Sequence, residues 1–448
     1  MNNNIISVYS AISTLNEFIW GVPVLVLMLA GGLYLSFRLR FAQLHIFRLF
    51  REIVSMLKAP PEKSAHGLTQ LQSFSTALAA TVGTGSVTGV ACALCTGGNG
   101  CIFWMWVSAF LGMGLSYCEN FLSVRHSKLS QKDSKTSSAG GAFCYLRSLG
   151  RFPAVSYAVF CVLASLGMGN MAQSSSAVSA ASEGLGLPKW LCALSVVFFC
   201  AAAVWDTKRC ARICERLVPF AALLFILTSL FLLAFSPLKT LSALSDIFKD
   251  AFSLRACAGG SLGWFFTKVC VNGLRRGAFS HEAGLGSTCA IHSDCGMTDP
   301  EKQGKLAMSE VFIDTMVICT ITALVIIISG TDLYGTDFSL TVSNSYSAFL
   351  GSFGRLFTSL CLTLFSLCTL TGWFFIGEKS FACLFPEKTL IYKCIYLLCA
   401  YLGTQFSLQT VWDLSDIFNA LMAIPNIIGV LLLSKQITPP KFRRRRDG

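Results

Sequence analysis

The chain has 448 residues, of which 54% are hydrophobic and only 13% charged, with a mean hydropathy of +0.62. Too few polar groups remain to cover a soluble globule of this size, so a water-soluble protein is excluded. The net charge of +12 does not point to nucleic acid, because the basic residues stand in short clusters between apolar runs, with no interleaved aromatics to stack bases.

The apolar runs are about 20 residues long, which at roughly 1.5 Å rise per residue spans a hydrocarbon layer of about 30 Å. The first lies near residues 17–36. The Met-Asn-Asn-Asn before it lacks the positive region of a signal peptide, and Arg38 and Arg40 follow it, so it is expected to stay as a helix with its N-terminus outside. Further spans are predicted near 70–96, 101–122, 152–180, 188–205, 215–236, 262–291, 306–331, 345–375, 389–406 and 414–434, which makes eleven in all. This alternation leaves 27 of the 35 lysines and arginines inside. Outside stand Lys189, Lys239, Lys249 and Arg255, and within spans Lys268, Arg275, Arg276 and Arg355. Such a bias predicts a multi-pass protein of the cell membrane with a cytoplasmic C-terminus. The basic tail Lys441-Phe-Arg-Arg-Arg-Arg446 then reads as a topology anchor touching anionic lipid. Most of the twenty cysteines, Cys161, Cys200 and Cys368 among them, lie inside apolar runs and read as small reduced hydrophobes.

Two spans are unusual. The second contains Thr81-Val-Gly-Thr-Gly-Ser-Val-Thr-Gly89 and the seventh Gly277-Ala-Phe-Ser-His-Glu-Ala-Gly-Leu-Gly286, both dense in glycine and hydroxyl side chains at mid-membrane depth. Both should break a helix. Lying five spans apart, they run in opposite directions, as expected of an inverted repeat. The predicted organisation is a helix and basic loop over 1–62, five-helix repeats over 63–236 and 237–436, and a tail over 437–448. An unwound stretch in lipid leaves peptide groups unsatisfied, so each must line a protein cavity. Freed amides at a half-helix N-terminus suit a carboxylate, and freed carbonyls an ammonium group or a small cation; an amino acid zwitterion uses both. Gly83, Thr84, Gly85 and Ser86 are therefore assigned to a carboxylate-binding turn, opposed by Ser280 and His281. Close helix packing through Gly85 and Gly89 is the plainer alternative.

These residues resemble the alanine or glycine:cation symporter family, the sodium:alanine symporters of LeuT-like fold. The resemblance runs over nearly the whole chain, through Gly83 to Gly89, Gly97 to Trp106, Gly277 to Gly286, Val311-Phe-Ile-Asp-Thr315, Gly372 to Lys379 and Trp412 to Asn426. It implies an all-α integral membrane protein with a 5+5 inverted repeat after one extra helix, and symport rather than enzyme chemistry. The carried molecule would be a small neutral amino acid, alanine or glycine, D-alanine included. It also implies that Asn170 on span four, and Thr369 with Trp373 on span nine, complete the amino acid pocket. Thr369 and Trp373 are four apart and so share a helix face, where an indole beside a hydroxyl admits a short side chain and blocks long ones. An interfacial anchor for Trp373, and a helix-to-helix hydrogen bond for Asn170, are the structural alternatives. In this fold a sodium ion usually sits between the broken first-repeat helix and the third helix of the second repeat, where Thr81, Thr84, Ser366 and Thr369 offer hard oxygens. No other cofactor or metal is expected, and a monomer is plausible.

The chain departs from the family at Ser86 and His281, where Asn is usual. An imidazole at the site makes a proton the alternative coupling ion. Glu119, Glu282, Asp314, Lys268, Arg275 and Arg276 also lie at membrane depth, where unpaired charge is costly, and each is a candidate coupling site; for Glu282, an ion pair with Arg275 or Arg276 that braces the break is expected instead. Against an enzyme, a Ser86–His281 dyad lacks any nucleophile-elbow motif. A channel is the remaining class, told from a carrier by linear rather than saturating flux.

Overall fold

In lipid a backbone has no water to bond, so a chain this apolar satisfies its peptide groups as helices. The computed structural model describes residues 14–16, 18–58, 68–133, 140–252, 262–295, 299–333, 338–405 and 408–442. Lys63, Lys135, Arg255 and Arg443 to Arg446 lie outside them, as does the side chain of Lys268. The described elements are helical, joined by one isolated bridge between Leu68 and Cys295.

In chain order the helices are α1 (Val22–Arg38), α2 (Ile46–Lys58), α3 (Gln70–Thr81), α4 (Thr84–Gly97), α5 (Gly100–Asp133), α6 (Ala142–Leu149), α7 (Arg151–Leu166) and α8 (Ala172–Leu185). They continue with α9 (Lys189–Val204), α10 (Thr207–Ala234), α11 (Pro237–Ala251), α12 (Leu262–His281), α13 (Cys289–Ser293) and α14 (Pro300–Val311). The last are α15 (Thr320–Ser329), α16 (Phe338–Leu350), α17 (Ser352–Leu384), α18 (Thr389–Gly403) and α19 (Leu408–Leu432). Two wide π-turns, Gly167–Met171 and Phe312–Cys319, join α7 to α8 and α14 to α15 without ending the rod. Eight described helices are long and apolar enough to cross a membrane. The shorter apolar α9 and α18, and the interrupted α12 and α13, lie where the other spans were expected.

Local chemistry explains the helix ends. Thr69 and Gln72 form a reciprocal capping box at the start of α3, and Asp299 caps α14 ahead of Pro300. The expected span 345–375 is corrected: Gly351, at φ 58°, ends α16, and the spanning helix α17 begins only at Ser352. The amphipathic helices α2 and α11 lie outside the predicted spans altogether.

The two glycine-rich stretches are interrupted, though more narrowly than expected. In the first, only Val82 and Gly83 leave the helix, and Thr84, Gly85 and Ser86 already form the first turn of α4. In the second, Ser280 and His281 stay helical because the Glu282 amide still bonds the Ala278 carbonyl at 3.0 Å. The chain unwinds from Glu282 to Thr288, with Glu282, Gly284 and Gly286 at φ 55°, 87° and 69°. That left-handed run is open to glycine and strained for Glu282.

Candidate functional site

Both interruptions are buried, and the helical turns beside them meet. The Ser86 and Ser280 hydroxyls are 3.3 Å apart, and a side chain built on Gly85 would stand 3.2 Å from the Phe279 ring. Between them comes a group from a third element: Asp314, on the π-turn that follows α14, accepts from Ser86, from Ser280 at 2.6 Å and from Thr315 at 2.8 Å. Three hydroxyl donors on one fully buried carboxyl group compensate for the loss of water. The hydroxyl and carboxylate oxygens gathered here are hard donors of the kind that hold a small cation.

The first interruption is fastened from one side only. Thr369 of α17 donates to the Ala79 carbonyl at 2.9 Å and to the Val82 carbonyl at 3.4 Å, closing the end of α3. Its hydroxyl stands where any Gly83 side chain would begin, so only glycine lets α17 approach this closely. Among the described residues no side chain caps the N-terminus of α4. Its first amides have no partner within the helix and carry the positive end of its dipole. The Gln173 Oε1 of α8 lies 3.3 Å from the same Gly83 position and, like Thr84 Oγ1 and Ser366 Oγ, has no hydrogen-bond partner among the described residues. Buried oxygens left open beside open amides make a site that can take a zwitterion or a cation.

The second interruption is held by protein. Glu119 of α5 accepts from the Gly286 amide at 3.1 Å, the Gly284 amide at 3.4 Å and Asn426 Nδ2 at 2.8 Å. Asn426 also donates to the Gly284 carbonyl, and Tyr157 to the Gly286 carbonyl, at 2.8 and 2.7 Å. Glu282 accepts from Ser287 at 2.7 Å and from the Trp373 indole at 2.9 Å.

The expected ion pair of Glu282 with Arg275 or Arg276 is therefore corrected. Arg275 and Arg276 turn to Asp416 of α19, Arg276 at 3.8 Å, with the Arg276 guanidinium also 5.2 Å from the Trp412 ring. They lie one to two turns before the break on α12 and are taken by Asp416, and Glu282 is satisfied by the neutral donors Ser287 and Trp373 instead.

Of the anticipated site residues, Gly83, Thr84, Gly85, Ser86, Ser280 and Thr369 come together. Trp373 is adjacent, its ring covering Gly169 while its N–H is given to Glu282. Asn170 is elsewhere: it donates to the Tyr396 carbonyl of α18 at 2.6 Å, the helix-to-helix bond that was its structural alternative. His281 faces away from Asp314. Its Nδ1 accepts the Ala283 amide at 3.1 Å, which leaves the proton on Nε2 for Ser108 at 2.9 Å. A Ser86–His281 dyad is thus not formed. Thr81 Oγ1 is turned back on its own helix, to the Leu78 carbonyl at 3.3 Å.

Sequence reasoning kept Asp314 and Glu119 only as candidate coupling sites at membrane depth and passed over Gln173 and Asn426. Asp314 and Glu119 carried a signal, being acidic groups within apolar runs. Gln173 and Asn426 carried none.

The comparisons with known proteins follow this geometry. The model of the sodium:alanine symporter family matches residues 5–441. The sodium/alanine symporter AgcS of Methanococcus maripaludis is 36% identical over 440 residues, covering 95% of this chain and 94% of its own. The probable sodium/glutamine symporter GlnT of Bacillus subtilis is 33% identical over 433 residues, covering 94% and 87%. Among solved structures, MhsT in complex with L-phenylalanine aligns with a TM-score of 0.58 at 14% identity, over 82% of this chain and 89% of its own; that likeness concerns the fold, which is LeuT-like.

Proposed function

The chain belongs to the sodium:alanine symporter family, and from that premise we propose that it imports alanine or glycine together with sodium by alternating access. The observation that carries this reading is the uncapped N-terminus of α4 facing Asp314 and the end of α12. The substrate carboxylate binds the amides of Gly83 to Ser86, where the helix dipole favours negative charge. Its ammonium group takes carbonyls at the ends of α3 and α12, which have no intrahelical partner. Sodium is held by Asp314 with the Ser86 and Ser280 oxygens, and a second ion by the Ala79 and Val82 carbonyls with Thr369 and Ser366. Gln173 lies close enough to Gly83 to bond the substrate directly, whereas Asn170 ties α8's approach to α18.

Sodium is preferred over a proton because both His281 nitrogens are engaged, one by a backbone amide and one by Ser108, on the side away from the carboxylate. The repeats run over 63–236 and 237–436, with the N-terminus outside the cell membrane and the basic end of the bundle, where Arg38, Arg125 and Lys305 lie, in the cytoplasm. Alanine is the substrate in the name of AgcS and glutamine in that of GlnT, so both enter the test.

The deciding experiment is uptake of labelled alanine, glycine and glutamine into liposomes holding the purified chain, with sodium and proton gradients imposed separately. Saturable alanine or glycine uptake with counterflow under a sodium gradient alone is expected. Uptake driven only by the proton gradient, or linear flux without counterflow, overturns the proposal.

A further inference from the structure

Past Thr288 the second break runs into α13 and a turn, so that residues 289–295 form a strap across the end of the bundle read above as cytoplasmic. The Leu68 amide, just before α3, donates to the Asp294 carbonyl at 2.9 Å, beside the isolated bridge to Cys295. The Gly141 amide, at the start of α6, donates to Ser293 Oγ at 2.8 Å, and Lys379 of α17 pairs with Asp294 at 2.7 Å. The strap is thus seated on elements of both repeats.

Its tie to α14 is of another kind. His292, fully buried, places Nδ1 2.8 Å from Gln303 Oε1 and Nε2 3.2 Å from Glu310 Oε2. Both ring nitrogens therefore face oxygens, and only an imidazolium carrying both protons can donate to both. Glu310, itself buried, supplies the matching charge; its other oxygen has no hydrogen-bond partner among the described residues. Glu119 of α5 adds to the negative field at the ring, whereas His126 on the same helix is bonded to Gln436. Of the other elements packed on the strap, α17 brings Lys379, which is committed to Asp294, and α3 has no titratable side chain. Imidazole is the side chain whose charge ordinarily changes near neutrality.

We propose that His292 and Glu310 form a proton-binding site that latches the strap to α14, the proton being exchanged with the cytoplasm. With the proton bound, the ring bridges Gln303 and Glu310, and a buried ion pair with a hydrogen bond on either side of the ring holds the strap down. Loss of the proton leaves one ring nitrogen as a lone pair facing an oxygen and the Glu310 charge buried without its counter-ion, both of which are costly. The strap then parts from α14 more often and the cytoplasmic end opens. Acid on that side keeps the strap shut, and alkali frees it. The proton regulates opening and does not drive uptake. The inference deepens the reading of a sodium-driven carrier and rests on it for which side the strap faces.

Cys295, buried on the strap, reports its opening. The full chain in an uncharged detergent is treated with a water-soluble maleimide, and labelling of Cys295 is followed by peptide mass spectrometry from about pH 6 to about pH 8.5, the range over which an imidazole exchanges its proton. Each rate is divided by that of the His292→Gln variant at the same pH, which cancels the pH dependence of the thiol reaction itself. Glutamine keeps a donor for Glu310 and has no proton to lose. The ratio should be about one at the acid end and rise to about tenfold at the alkaline end, the lower range of what a hydrogen bond to a charged group contributes. Should that variant fail to fold, Glu310→Gln is the reference; its latch is loose at every pH, so the ratio should start at about one-tenth and climb to about one. A ratio that stays constant with pH against the folded reference overturns the proposal. Labelling needs neither substrate nor a sodium gradient, so its result stands apart from that of the uptake experiment.

Discussion

The two interruptions began as equivalents, each a glycine-rich stretch at the same place in its repeat, yet the structure treats them oppositely. Residues 282–288 are clasped by Glu119, Asn426, Tyr157, Ser287 and Trp373, whereas among the described residues the α4 end of the 82–83 break has no side-chain cap and has open oxygens beside it. A buried peptide group without a partner costs about 1–3 kcal/mol. The protein therefore removes that cost with its own side chains at one break, and at the other leaves the helix end open, where the proposed substrate would bind. A carrier needs both: a rigid wall to keep the geometry of the cavity and an unsatisfied wall to give binding its free energy.

Four substitutions test this contrast, beginning with the largest expected effect. Asp314→Ala removes the acceptor shared by the two broken helices and should cut sodium-driven uptake by at least about 100-fold, as hydrogen bonds to a charged group are worth about 1.5–3 kcal/mol each. Wild-type rates in the liposome assay would show that the carboxylate is scaffolding. Glu119→Gln weakens the clasp on Gly284 and Gly286 and should cost about 2 kcal/mol of stability, seen as a lower thermal midpoint, with less than about threefold change in substrate affinity. Were affinity to fall and stability to hold, the second break would be the ligand's and the comparison would invert.

Gly83→Ala drives a methyl group against the Thr369 hydroxyl and should raise KM about tenfold, the lower range of what overpacking a close contact costs. His281→Asn retains an acceptor for the Ala283 amide and gives up only the bond to Ser108, neither of which involves Asp314, so uptake should keep its sodium dependence within about twofold. A switch of coupling ion in that variant would place the imidazole back in the transport step.

The helical spans were readable because a bilayer imposes length and hydropathy together, and the two breaks because glycine and hydroxyl residues are out of place at that depth. Errors came where a single torsion decides, as at Gly351, which moved the start of α17 past the predicted one. Asn170 and His281 have protein partners for a common reason. Residue type says that a polar group at membrane depth must find a partner, but the partner can be a helix carbonyl, as Tyr396 is for Asn170, as well as a ligand.

Composition and periodicity by themselves determined that this chain lives in lipid, where it is helical and which helices cannot be continuous, since those follow from the solvent's refusal of unpaired peptide groups. Which break is bonded by the protein's own side chains and which is left uncapped was decided only in three dimensions. Glu119 and Asn426 are more than 100 residues from Gly284 along the chain, and no local pattern records that their side chains arrive there.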